Sequence, residues 1–231
     1  MVATKWWTLI MIPWRWLNSK FLFFWGFILF TVIDRIVNSN TKMNIAQFFS
    51  SHILLENESV VLRPLTMQDM DALETIAYHK ELGEFGARVK NRADLVEYMN
   101  FCMKSKKEKE LYPLLILTKE DQTPIGVTMF GTISFPHQRL EIGWTWIGAQ
   151  FQGTGINGSC KKLLLDYCFD VLELRRVEFR IDIKNLKSQK AVEKLGALRE
   201  GLLRNYAIQS YGNSAGTYMY SILSEEWRKR K

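Results

Sequence analysis

The chain has 231 residues and a mass of 27.1 kDa, room for one large domain with an appendage or for two small domains. Apolar residues at 47% and charged residues at 24% exclude wholesale disorder and collagen-like or mucin-like chains. The net charge of +7 sits at the ends: residues 1–43 contribute +4, Arg228–Lys231 another +4, and residues 44–227 hold 22 basic against 23 acidic side chains, so the body carries no phosphate-tracking stripe and nucleic acid is not an expected partner.

Five of the eight tryptophans fall within residues 6–25, and Phe21–Ile33 is a run of 13 residues without a charge. A bilayer span needs about 20 apolar residues. Basic residues precede the run as in a signal peptide, but Asp34-Arg35-Ile36 follows it where a cleavage site would need small residues. Three readings of residues 1–42 stay open: a membrane anchor, with contact through residues 1–37; a start placed too early, the chain opening near Met43; or a cleaved signal. Residues 43–57 read as a polar linker with Phe48-Phe49 embedded, 58–227 as the main domain, and 228–231 as a basic tail.

Along the body, strands and helices alternate, which predicts a mixed α/β layer structure. Ser59–Leu65 is a short strand, and Thr66 with Asp69 opens a helix over about 67–82. Leu95, Met99 and Cys102 at helical spacing mark a second helix over 92–106. Leu111–Thr118 and Ile125–Ile133 form a hairpin across the Asp121-Gln122-Thr123-Pro124 turn. In the strand Arg139–Ile147, simple alternation puts Leu140, Ile142, Trp144 and Trp146 on one face and Glu141, Gly143 and Thr145 on the other. A helix over 155–173, a strand over 176–182, a helix over 188–195 and strands near 203–209 and 216–223 complete the pattern.

Three cysteines and three histidines are scattered without CxxC, HxxxH or CxxCH spacing, so no structural zinc or haem is expected and no metal site is assigned. The odd cysteine count reads as reduced thiols in a cytosolic protein. The chemistry-bearing segment is Gln150-Phe151-Gln152-Gly153-Thr154-Gly155-Ile156-Asn157, between a strand and a helix. Glycines there let a ligand approach the backbone, and the first free N–H groups of the helix, at the positive end of its dipole, suit a pyrophosphate. A tight turn without a ligand would carry the same glycines. Neither GxGxxG nor GxxxxGK[ST] is present.

The order of elements around this loop resembles the GNAT superfamily of acyl-CoA-dependent N-acetyltransferases, and within it the branch of ribosomal-protein N-terminal acetyltransferases. The family's Q/R-x-x-G-x-G/A loop is matched by Gln150, Gly153 and Gly155. Its Asn-x-x-Ser ahead of an E-K-x-G helix end is matched by Asn185, Ser188 and Glu193-Lys194-Leu195-Gly196. Leu140–Ile147, Arg199–Arg204 and Tyr220–Trp227 are further branch-like strings.

The resemblance implies a mostly antiparallel central sheet with helices on both faces, splayed open between strands 139–147 and 176–182, with acetyl-CoA in the cleft as co-substrate. The pyrophosphate would rest on backbone N–H groups of Gln152, Gly153, Thr154, Gly155, Ile156 and Asn157, behind Gln150. The pantetheine would pair near Ile147, and Asn185 would contact the cofactor or order the loop. Read without the family, Asn185 is a turn residue and Ser188 a helix N-cap. The family's direct transfer through a ternary complex needs a base for the ammonium of the acceptor, and Glu141 is the first choice. Ser188 would assist the departing thiolate. Two family positions are altered: Val192 stands where many members carry tyrosine, and Ala207 where the ribosomal branch can carry a glutamate. The implied activity is acetylation, in the cytoplasm, of a primary amine on a protein N-terminus or a small molecule. The alternative is an acyl-CoA-binding module with weakened chemistry. Oligomeric state has no sequence signal.

Overall fold

Among the described residues, the strand pairings place eight strands in one sheet. The structure is a computed structural model and describes residues 43–78, 89–208 and 214–231. The hydrophobic run within residues 1–42 and the end of the helix expected to reach residue 82 lie outside the described residues. The strands are β1 Leu55–Glu56, β2 Val60–Pro64, β3 Leu111–Thr118, β4 Pro124–Ser134, β5 Arg139–Ile147, β6 Arg176–Asp182, β7 Leu198–Ile208 and β8 Ser214–Leu223. They lie in the order β1-β2-β3-β4-β5-β6-β8-β7, and all neighbours are antiparallel except β5 and β6. The helices are α1 Ile45–Ser50, α2 Met70–Ala77, α3 Arg92–Lys107, α4 Ile156–Asp166, α5 Leu186–Leu195 and α6 Ser224–Arg228.

Two apolar layers cover the two sheet faces. On one, Leu62, Ile116, Leu140, Ile142, Phe179 and Tyr220 meet Leu164, Leu165 and Trp227 from α4 and α6. On the other, Val127, Met129 and Trp146 meet Leu73 and Ile76 of α2 and Leu95 and Met99 of α3. The helix expected over 155–173 is α4 followed by a π-helical turn, Tyr167–Val171.

The expected linker is corrected. Asn44 caps α1 by accepting from the N–H of Gln47, whose side chain accepts in return from the N–H of Asn44. Phe48 is fully buried and makes edge contacts with Tyr112 at 5.2 Å and Phe130 at 6.0 Å. The Tyr112 hydroxyl donates to Ser51 O at 2.6 Å and accepts from the N–H of Ile53. A pair of phenylalanines in a polar stretch was the available sign of a docked helix, because two such rings bury more than a linker can leave in water.

The alternation read into β5 is also corrected beyond Gly143. The register with β4 steps from Met129↔Gly143 to Val127↔Trp146, a bulge centred on Trp144, whose φ is 51°. The extra residue inverts the faces that follow. Trp146 packs with α2 and α3, Thr145 turns to α4, and Trp144 is left half exposed.

Candidate active site

The parallel pair β5–β6 is joined only at its start: Arg139↔Arg176, Leu140↔Val177 and Glu141↔Glu178 are in register, and neither strand pairs with the other after that. The remainder of each strand forms one wall of an opening. Gln150 and Phe151 lie in a 3-10 turn after β5, in which the Phe151 N–H donates to Gly148 O and the Gln152 N–H to Ala149 O. The Gln152 amide is therefore already engaged, and the backbone donors without a turn partner begin at Gly153.

Gly153 and Gly155 have φ of 79° and 88°, the left-handed region that favours glycine, and nothing lies within 4 Å of a Cβ built on either. α4 starts on Gly155 with no side-chain cap, so its first N–H groups are left without a partner among the described residues. An open, positively polarised backbone cradle fits a pyrophosphate. Asn157 follows in the first turn of α4, its Oδ1 buried and without a hydrogen-bond partner among the described residues.

Across the opening, Asn185 is the N-cap of α5, its Oδ1 accepting from the N–H of Ser188 at 3.0 Å. Ser188 is thus the third helical residue and not the cap, and its hydroxyl makes no hydrogen bond among the described residues. Gln152 spans the two walls: its Nε2 donates to Ile147 O at 2.9 Å, and its Oε1 accepts from Lys187 Nζ on α5.

Glu141 stands at the last position of β5 that pairs with β6 and is 4% exposed. Its neighbour in register is another carboxylate, Glu178, and Arg180 reconciles the two. Arg180 Nη1 lies 2.8 Å from Glu141 Oε2, and Nη2 lies 3.7 Å from Glu178 Oε2. Thr132 donates to Glu141 Oε2 at 2.9 Å. Arg139 and Arg176 hold Glu178 from the other side, and Arg176 continues to Glu200. Burial pushes the Glu141 carboxyl above the usual carboxylate range; Arg180 and Thr132 oppose that shift, and Glu178 adds to it. Both side-chain hydrogen bonds fall on Oε2, the Arg180 backbone N–H also favours the charged carboxylate, and Oε1 accepts from no side chain among the described residues, which makes it the less committed oxygen. A cavity of about 570 Å³ beside Thr132 is lined by Phe101, Leu111, Arg139 and Trp144.

A family model described as an acetyltransferase (GNAT) domain matches residues 59–198. The chain belongs to this family. It is accordingly an acetyl-CoA-dependent acyltransferase, and its splayed, mostly antiparallel sheet is the GNAT fold. N-acetyltransferase p20 of Bacillus licheniformis, itself uncharacterized, is 28% identical over 75% of this chain and 97% of its own length. YdaF of Bacillus subtilis (strain 168), whose name gives it provisionally as a ribosomal N-acetyltransferase, is 33% identical over 48% of this chain and 60% of its own. The crystal structure of a GCN5-related N-acetyltransferase from Brucella melitensis superposes with a TM-score of 0.70, covering 77% of this chain and 81% of that one, at 23% identity.

The structure brings Glu141, Ile147, the Gly153–Asn157 segment, Asn185 and Ser188 to the walls and floor of one opening in the GNAT sheet. The other altered family position, Val192, is buried in the α4-side layer, where it packs as an aliphatic residue. Cys160 and Cys168 are buried, with burial raising both thiols. Among the described residues no group of three or more His, Cys, Asp or Glu side chains is placed to hold a metal, and no helix is long and apolar enough to cross a membrane.

Three contributors escaped the sequence reading: Arg180, Lys187 and Lys161. Arg180 had a visible sign, since Arg176, Glu178 and Arg180 alternate with Val177, Phe179 and Ile181 and so share one face. Lys161 had one too, standing at positions i, i+3, i+4 and i+7 with Leu164, Leu165 and Cys168, all buried. Lys187 had none.

Proposed function

We propose that this GNAT chain moves the acetyl group of acetyl-CoA directly to a primary amine, on a protein N-terminus or a small molecule, within a ternary complex. The observation that carries the reading is the parting of β5 and β6 immediately after Glu141, which leaves a half-anchored carboxylate at the floor of the opening. Bound acetyl-CoA supplies the activated acyl group. The N–H groups from Gly153 into α4 would hold its pyrophosphate, and the free edge of β5 near Ile147 would pair with its pantetheine. Release of the Ile147 carbonyl from Gln152 would accompany that pairing.

Glu141 takes the ammonium proton of the acceptor through its less committed Oε1 while Arg180 and Thr132 fix Oε2. A raised carboxyl is better matched to that task than an ordinary one. Backbone N–H groups on the open edge of β5 donate to the developing oxyanion. Ser188, whose hydroxyl is uncommitted, donates toward the thiolate. The likeness to YdaF supports a ribosomal or other protein N-terminal amine as the acceptor class. The reading places the catalytic body in the cytosol, where acetyl-CoA is available, and begins it at Met43.

The test is release of CoA thiol from acetyl-CoA in the presence of peptides opening on alanine or serine and of small primary amines. Turnover with at least one acceptor, and its loss in Glu141→Gln, is expected. If the chain binds acetyl-CoA and turns over with no amine, a binding module is the better description.

A further inference from the structure

Lys161 lies on the second turn of α4 with only 6% of its surface exposed, yet among the described residues no carboxylate pairs with it. Its Nζ donates to Thr145 Oγ1 of β5 at 2.5 Å and to Thr128 Oγ1 of β4 at 3.2 Å. Those hydroxyls lie 2.8 Å from each other, and Thr145 also donates to the carbonyl of Gly143 at 3.2 Å. Gly143 and Thr145 flank Trp144, the residue at which β5 bulges. One helical turn nearer the Gly153–Gly155 loop, on the same face of α4, is Asn157 with its orphaned Oδ1. A polar track thus runs from the loop to the bulge beneath the unpaired half of β5, through a layer that is otherwise apolar: Cys160, Leu164 and Leu165 surround it.

A buried ammonium with only neutral partners costs stability, because hydroxyls do not repay its lost hydration as a carboxylate could. Nor do the hydroxyls need it, since Thr128 and Thr145 can satisfy one another and Thr145 has Gly143 O. Burial lowers the Lys161 pKa to about 8, which keeps most of the population charged at neutral pH. The adjacent Cys160 thiol is pushed up to about 11 and is uncharged there. The fold therefore carries a cation that packing alone would replace by methionine or leucine.

We propose that Lys161 is a positioning residue of acyl transfer: held on Thr128 and Thr145, its ammonium fixes the bulged stretch Gly143–Thr145 against α4 and sets a positive charge behind the strand edge where negative charge develops. Preorganised charge in a water-poor site acts on the transition state more than on the ground state. The inference rests on the proposed placement of the reaction along the free edge of β5.

The experiment compares full-length parent, Lys161→Met and Thr145→Val in the CoA-thiol assay, with melting temperature and acetyl-CoA affinity measured on each. Lys161→Met should melt at the same or a higher temperature, keep the KM for acetyl-CoA within about threefold, and lower kcat at least tenfold. Thr145→Val should lower kcat in the same direction, and the double variant should be no slower than Lys161→Met alone, because the two act in series. A folded Lys161→Met with parental kcat overturns the proposal. So does a variant that melts lower with kcat and KM shifted together, which is the mark of a structural role. Should Lys161→Met fail to fold, an unchanged kcat in Thr145→Val overturns it instead. Failure of the underlying reading is separate: it appears as a parent that turns over no amine, or as acetyl-CoA binding that Gly155→Val leaves untouched.

Discussion

At the scale of single residues, Glu141 is held by opposing demands. Burial favours its neutral form and Arg180 its charged form, with burial the larger influence. Its carboxyl therefore titrates above the ordinary range, and the acidic limb of the rate profile should be displaced upward accordingly. Glu141→Gln should lower turnover by roughly 10²–10⁴, the usual span for a lost general base; a loss under threefold would assign the proton to water or to another group. Stability gives an independent check. A carboxyl whose folded pKa is raised stabilises the fold most at low pH, below its unfolded pKa, and that contribution disappears as pH rises through the folded pKa. Glu141→Gln stays neutral throughout, so its melting temperature should hold better than the parent's as pH climbs from about 4 to 7. Parallel curves for the two proteins would show that the carboxyl is not raised. Arg180 has the opposite consequence: Arg180→Met leaves Glu141 and Glu178 opposed without their bridge and should raise the acidic-limb pKa further, with turnover reduced.

At the scale of elements, the cofactor loop works because two backbone positions are left-handed and α4 starts without a cap. Gly155→Val must place a β-branched residue at a φ of 88°, and its side chain would fill the space from which phosphate has to approach. Its acetyl-CoA dissociation constant, measured by calorimetry, should rise at least tenfold. Gln152→Ala should change it by less than threefold, because among the described residues the side chain bonds Ile147 O and Lys187, and its own N–H is spent in the turn. Equal effects would mean that side chains and not the backbone hold the phosphates. Most elements were legible because their apolar spacing is regular: the strands at 111–118, 139–147 and 176–182 coincide with β3, β5 and β6. The failures share a cause in long-range geometry. The bulge at Trp144 depends on the register against β4, which periodicity within one strand cannot report. The ion network of Glu141 depends on β6 lying beside β5, although the two strands are separated in sequence by α4. The loop was readable because its function is written in local backbone requirements, whereas the Lys161 contacts join three elements.

At the scale of the molecule, residues Met43–Lys231 cluster as one compact unit, and α1 is part of its core and not an approach to it. Where the catalytic unit begins then becomes a question about Phe48. Its ring is fully buried against Phe49, Tyr112, Phe130 and Phe135, and Ile53 beyond it is 4% exposed. Removing a phenylalanine of that kind costs about 3–5 kcal/mol. Removing the whole segment also strips the Tyr112 hydroxyl of both its partners, Ser51 O and the N–H of Ile53, inside a buried layer. A domain of this size has a net stability of about 5–15 kcal/mol, so the combined loss is comparable with the total. A chain opening at Met43 should therefore unfold cooperatively and bind acetyl-CoA as the full-length protein does. One opening at Ser59, although it retains the whole of the matched GNAT segment, should lose its cooperative transition or unfold at a much lower denaturant concentration. Aggregation of the Met43 form, with binding retained only at full length, would make residues 1–42 part of the catalytic unit. A Ser59 form with the same denaturation midpoint would show that α1 packs on the core without supporting it.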